Sequence, residues 1–408
     1  MRREGSFRQT AKQLLDGSIH AARSLARRHD RAIPAYERLL RQVQRQTTLL
    51  RTSERPRDYR TSLNAGLLAL ALHHADWLRP AETWFPTTPK TWPQFTSLAH
   101  HLFARYPVPP FMTSVWFDLP PGEILPQHGW YKHLGLGHSI RTAGLPLRFT
   151  KAMAHLFTHA PHHYTAVAAL RWAQVRGLGG DEALARAVLG TRLGKALANE
   201  DFWESVLHFF INHPALALAQ VGPVVDFLQH QKFEWQEGVS QEGVFGKQPP
   251  PRPDYTMKGR TVASLLRQVE EWHRQLGQDT HQPSVAWRHS PFKDFRLVEG
   301  REALGNVRVW TITELLTSRE LFVEGRAMRH CVATSAERCL RRQTSIWSLQ
   351  VENQRGRQRV LTIEVDVPKR TVCQARRKCN RLSQAIEREI VGRWAAQEGL
   401  KVAESIGL

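Results

Sequence analysis

The residue types that do covalent or metal chemistry gather between positions 330 and 379: His330, Cys331, Cys339, Cys373 and Cys379. A cysteine nucleophile needs a thiolate and a base within hydrogen-bond reach. His330 and Cys331 are adjacent, and on a helix adjacent side chains diverge by about 100°. His330 is therefore a poor base for Cys331, and another of the 20 histidines would have to supply it. On the stripe of Leu321, Gly325, Met328 and Val332, Cys331 lies to one side and reads first as a small buried hydrophobe. Zinc is the other chemistry these residues allow. Seven residues separate Cys331 from Cys339 and five separate Cys373 from Cys379. Structural zinc sites use closer pairs, about two to four residues apart. No cofactor is expected, and zinc stays open as the alternative.

A second constellation lies on a strand. Leu361, Ile363, Val365 and Val367 alternate with Thr362, Glu364 and Asp366, a period of two. With Leu361 and Ile363 inward, Thr362 and Glu364 share the other face. A neighbouring strand can bring Gln374 and Arg376 beside them, with His330 above. Such a face suits general acid–base work or a nucleotide. The bland alternative is a solvated face with ordinary cross-strand pairs. The candidate catalytic set is His330, Glu364, Gln374, Asn380 and Cys331.

Basic residues surround this set: Arg355, Arg357, Arg359, Lys369, Arg370, Arg376, Arg377, Lys378 and Arg381. The chain carries a net charge of +20, unevenly distributed. Residues 1–60 hold 15 basic against 6 acidic side chains, and residues 288–408 hold 23 against 14. The middle is nearly neutral. Arginine predominates, and its fork pairs with phosphate bidentately. The two basic ends point to nucleic acid as a partner. Protein partners of the helical region are the alternative.

Helices and a sheet must position these groups. Residues 7–50 have helical spacing, interrupted at Ile33-Pro34, and form a basic arm or hairpin within residues 1–60. Residues 61–235 read as a helical array: Leu63–Leu78, Trp92–Arg105, Phe149–His159, Tyr164–Arg176, Asp181–Leu189, Phe202–Asn212 and Leu216–Phe233. Gly- and Pro-rich breaks separate them. Residues 236–258, with Pro249-Pro250-Pro251, read as an extended linker. Residues 259–408 form a second domain with its core at about 307–380. It has a helix Thr261–Leu276, a helix Arg319–Val332, strands Ile346–Val351, Val360–Val367 and Thr371–Arg376, and a last helix Ser383–Gln397 stopped at Gly399. The class is α+β: a mainly α-helical array followed by a domain with a small antiparallel sheet. No apolar run reaches the roughly 20 residues of a membrane span, and MRREGSFRQTAK has no secretory core. A cytoplasmic location is expected. No P-loop, dinucleotide fingerprint or His-Glu-x-x-His occurs.

The run LFVEGRAMRHCVATSAERCL, followed by SIWSLQV, VLTIEVD and VCQARRKCN, resembles the PcfJ-like family. The matching positions are Glu324, Gly325, Met328, His330, Cys331, Val332, Leu361, Thr362, Glu364, Val365, Gln374 and Asn380. HLFARYPVPPFM and MKGRTVASLLRQVEEWH are similar to regions attached to such domains. The family commonly has an aromatic where Ser335 stands and Gly where Arg377 stands. The resemblance implies an association with mobile elements or conjugative DNA transfer, and no assigned reaction. The expected function is a nucleic-acid-associated accessory factor. The alternatives are an enzyme acting through His330, Glu364 and Gln374, or a helical interaction scaffold.

Overall fold

The computed structural model describes residues 32–47, 57–117, 125–239, 245–275, 285–300, 307–328, 332–354, 356–378 and 381–403. Most of the basic N-terminal segment lies outside the described residues, as do Arg355, His330, Cys331, Cys379 and Asn380. The chain divides into two compact units, Met1–Gly179 with Ala196–Glu200, and Gly180–Lys195 with Asp201–Leu408.

The first unit contains helices α1 (Ile33–Gln46), α2 (Arg57–Leu72), α3 (Thr91–Phe103), α4 (Pro126–Gly135), α5 (Lys151–Thr158) and α6 (Ala166–Gly177). Pro34, read from sequence as a break, sits in the first turn of α1, where a missing N–H costs nothing. Tyr36, Leu39, Leu40 and Val43 recur at helical spacing behind it and are buried. The Thr165 side chain accepts from Ala168 N and opens α6.

A buried histidine pair lies in this unit, and its hydrogen bonds fix both tautomers. His128 Nε2 faces Val115 O at 3.1 Å, so it donates. His128 Nδ1 then accepts from His73 Nε2 at 3.0 Å. His73 Nδ1 in turn accepts from Lys132 Nζ at 3.1 Å, and Lys132 also donates to Asp76 Oδ2 at 2.7 Å. Trp116 stacks on His128 with centroids 4.8 Å apart. Both imidazoles are neutral in this chain. Burial, with Lys132 adding to it, lowers His73 to about 4. Burial, with His73 adding to it, lowers His128 to about 3.

The second unit has helices α7 (Glu182–Leu189), α8 (Glu200–Asn212, apart from its first residue), α9 (Val221–Lys232), α10 (Val262–Gln275), α11 (Ser318–Met328), α12 (Ala336–Leu340) and α13 (Ala385–Glu398). Asp181 Oδ1 accepts from Leu184 N at 2.7 Å and caps α7. The Pro-rich stretch is preceded by a hairpin of β1 (Gln236–Val239) and β2 (Phe245–Gln248). The main sheet contains β3 (Phe295–Glu299), β4 (Arg308–Glu314), β5 (Thr344–Asn353), β6 (Gly356–Asp366), β7 (Thr371–Arg377), β8 (Arg381–Leu382) and β9 (Lys401–Val402).

Two sequence expectations need correction. The sheet is not a small antiparallel meander: among the described residues it has seven strands and is mixed. Strands β3 to β8 pair antiparallel in chain order, and β9 pairs parallel with β7 after α13 returns the chain. The helix expected over Arg319–Val332 ends at Met328 among the described residues, and Val332–Ser335 is a 3-10 turn. Val332 and Thr334 are β-branched, which weakens the helix there. The angular argument relating His330 to Cys331 therefore concerns residues outside the described set.

The sheet alternation has a clear cause. Trp347, Leu349, Leu361, Ile363 and Val365 meet Ile390, Val391 and Trp394 of α13 in one core cluster. Trp347 and Trp394 rings are 4.8 Å apart. Gly399 at φ +63° ends α13 in the left-handed region, as glycine allows. The opposite face carries Leu315, Leu321, Val332, Cys339 and Ile346 as a smaller apolar cluster. Between those groups the same face is polar. Among the described residues, no helix is long and apolar enough to cross a membrane.

Candidate functional site: a polar cavity on the sheet

The polar face is set by the register of β6 and β7. Thr362 lies opposite Arg376, and Glu364 opposite Gln374. The ladder then slips, so Val365 meets Val372 and Cys373 is the extra residue of a bulge. Cys373 Sγ donates to Glu364 O at 3.4 Å. Glu364, Gln374 and Arg376 thus share a neighbourhood.

They line a cavity of about 260 Å³. Its sheet side is Thr362, Glu364, Gln374 and Arg376, with Ser335 and Arg338 from the segment before β5. Its other side comes from far upstream within the same unit: Gly190 to Lys195 after α7, and Asp226, Gln229 and Glu234 from α9 and its exit. Arg338 pairs with Glu364 at 2.8 Å, and Thr344 Oγ1 donates to the same carboxylate at 3.3 Å. Arg376 is 9% exposed and its Nη2 donates to Gly190 O at 2.9 Å. Its Nε has no hydrogen-bond partner among the described residues. Burial holds its guanidinium below the usual arginine range, and Asp226 opposes that shift. Burial raises the Glu234 carboxyl, with Arg192 opposing.

A carboxylate that the candidate set omitted is bonded to the cavity-lining residue Thr362. Glu324 on α11 is 1% exposed. Thr362 Oγ1 donates to it at 2.7 Å, Ser348 Oγ at 3.0 Å and Arg359 Nε at 2.9 Å. Burial nevertheless raises its pKa, against those three donors. Glu324 was detectable: it falls on the helix stripe of Leu321, Gly325 and Met328, where a carboxylate is out of place unless it is bound. Arg192 and Lys195 gave no such signal, because nothing local ties Gly190–Lys195 to a strand almost 200 residues later.

The basic candidates separate by environment. Arg359 is committed to Glu324, and Arg377 pairs at 3.0 Å with Glu387, which is nearly fully buried. Arg370 donates to Glu398 O and lies 4.9 Å over the Phe292 ring. Arg381 donates to Lys378 O at 3.2 Å, and Lys369 pairs with Asp366 at 3.3 Å. Arg357 and Lys378 are exposed. Arg376 alone of the described members of this group lines the cavity.

The two described cysteines are not poised as nucleophiles. Burial pushes the thiols of Cys339 and Cys373 up to about 12, so both are protonated at neutral pH. Cys331, Cys379 and His330 lie outside the described residues, so the zinc and Cys–His readings keep only their sequence basis.

Neither a curated protein nor a solved structure matches the chain. The upstream wall, Gly190 to Glu234, precedes the part of the chain that has a family match. That match covers residues 272–391, including β3 to β7 and α11, and its family is described as PcfJ-like protein: over these residues the chain is similar to that family.

Proposed function

We propose that this protein is a nucleic-acid-associated accessory factor whose cavity on the β6–β7 face receives a phosphate group of the strand. Arg376 carries the reading. A guanidinium stays charged in proteins, and burying a charge is costly unless it is paired. Here the hydrogen bond at Nη2 goes to a neutral carbonyl while the side chain lines a cavity. A phosphate entering beside Arg376 would complete its pairing, with Lys195 and Arg338 at the same cavity to hold the remaining oxygens. The net charge of the chain supports the same partner class. In this reading the protein acts in the cytoplasm, in the mobile-element or DNA-transfer setting that the family resemblance implies.

The test is the affinity of the full chain for fluorescent single-stranded DNA and RNA across a salt series. Phosphate contacts give a straight fall of log affinity with log salt. Lys195→Ala and Arg338→Ala should each reduce the slope by about one and weaken all sequences alike. Absence of binding at low salt sinks the proposal.

Ser335 supplies a steric check. It lines the cavity with a small side chain. Ser335→Tyr is expected to fill part of the 260 Å³ and lower affinity about tenfold or more, with the melting temperature little changed. Unchanged affinity would place the strand elsewhere.

A second reading, general acid–base chemistry, is favoured by one observation: Glu364 and Gln374 face each other beside a bulge and within the cavity. Under it, Glu364→Gln removes a biological phenotype while strand affinity stays. Under the first reading, Glu364→Gln keeps the phenotype.

A further inference from the structure

We infer that Trp235 is a base-stacking platform at the rim of the cavity, so that the ligand is a single-stranded nucleic acid gripped by both phosphate and base. The inference rests on the phosphate reading of the cavity and names what that reading leaves open, the recognition of unpaired bases.

Three observations carry it. First, Trp235 is 60% exposed, whereas Trp203, Trp347 and Trp394 are fully buried. An indole left in water forgoes the hydrophobic gain that burial of its rings would bring. Second, Trp235 has no ring partner among the described residues. Trp92, also exposed, leans on Phe117 with centroids 5.2 Å apart. At 60% exposure the Trp235 side chain is accessible from solvent. Third, its position is anchored. It directly follows Glu234, a cavity-wall residue whose N–H donates to Gln229 O at 3.1 Å. One residue step is about 3.8 Å, so Trp235 stands next in the chain to the wall of the cavity that takes the phosphate. In the proposal an unpaired base of the strand held there is the planar group that Trp235 receives.

The chemistry fits strand binding better than duplex binding. Proteins that hold single strands combine a cationic groove with aromatic faces on which bases stack, tolerating any sequence because every base has a π-face. In a duplex the bases are already stacked on each other and offer Trp235 no face. The combination here is a cavity with Arg376, Arg338 and Lys195 and one uncovered indole next to its wall.

The experiment uses the full chain and end-labelled oligonucleotides read by anisotropy, since 13 tryptophans make intrinsic fluorescence ambiguous. Wild type, Trp235→Ala and Trp235→Phe are titrated with oligo-dT, oligo-U, an abasic strand of equal length and a duplex. Trp235→Ala should lose about 5- to 100-fold in affinity for the normal strands. Trp235→Phe should recover most of it. The abasic strand should bind wild type as weakly as oligo-dT binds Trp235→Ala, and should be indifferent to the substitution. That indifference excludes a mere loss of folding. If oligo-dT and oligo-U bind and Trp235→Ala stays within twofold of wild type, the stacking inference is overturned and the phosphate reading stands. If the substitution weakens abasic and normal strands equally, the stacking inference is likewise overturned. If no strand binds at low salt, both fall.

Discussion

Glu324→Ala is expected to destabilise the C-terminal unit by about 2–4 kcal/mol in chemical denaturation. The substitution removes the acceptor of Thr362, Ser348 and Arg359 together. Two buried hydroxyls lose their partner, each at the cost of an unmade hydrogen bond. Arg359 is 39% exposed and can turn to water, which keeps the loss below that of a fully buried ion pair. Glu324→Gln separates the contributions. The hydroxyls can still donate to the amide oxygen, so only the charge pairing with Arg359 is lost, and the cost should fall to about 1 kcal/mol. Equal losses for Ala and Gln would show that the charge dominates and the hydroxyls contribute little. Stability unchanged in Glu324→Ala would remove Glu324 from any structural role beside the cavity. Because Thr362 belongs both to this network and to the cavity lining, Glu324→Ala should also weaken strand binding.

The first unit is expected to lose stability as pH falls below about 6.5. His73 and His128 are held neutral, with pKa lowered to about 4 and about 3 respectively. In the unfolded chain both return to the ordinary histidine value near 6.5. Between those values the unfolded chain binds protons that the folded unit refuses. Stability is therefore complete above pH 6.5 and is lost as pH falls toward the folded-state values. The groups facing the pair oppose each other: Lys132 disfavours a proton on His73, and Asp76 favours one. Across the full titration the loss is on the order of 3 kcal/mol or more. Thermal melts at pH 7.5, 6 and 5 should show a falling midpoint for this unit. His128→Gln, whose amide can still donate toward Val115 O, should flatten that dependence. A midpoint independent of pH between 7.5 and 5 would refute the neutral pair.

Much of the sheet was legible because its strands are amphipathic in the simplest way. β6 alternates Leu361, Ile363 and Val365 with Thr362 and Glu364, and the two sets do face α13 and the cavity respectively. β4 alternates just as strictly, but its inward set is Trp310, Ile312 and Glu314. A buried Glu breaks the apolar pattern and conceals the strand. Glu314 is tolerated because Ser290 N and Oγ both donate to it. β9 is two residues long and paired only through the return of α13, so no local pattern could announce it. In the first unit, α4 was missed because PQHGWYKHLG has polar residues on its inner side. His128 is one of them, and it is buried by its hydrogen bonds to Val115 and His73. Composition shows which residues are polar; it does not show which polar residues have found partners.

The bond from Arg376 to Gly190 spans 186 residues. That separation has a consequence for biogenesis. A ribosome adding about 5–20 residues per second leaves roughly 10–40 s between making Gly190 and making Arg376. During that interval the residues of α7 and its following turn have no sheet to face. Closing so long a loop adds little to the equilibrium cost, since each doubling of length adds only about 0.6 kcal/mol. Its burden is kinetic: the upstream wall is synthesised early and the strand it faces late, and contacts so distant in sequence slow folding.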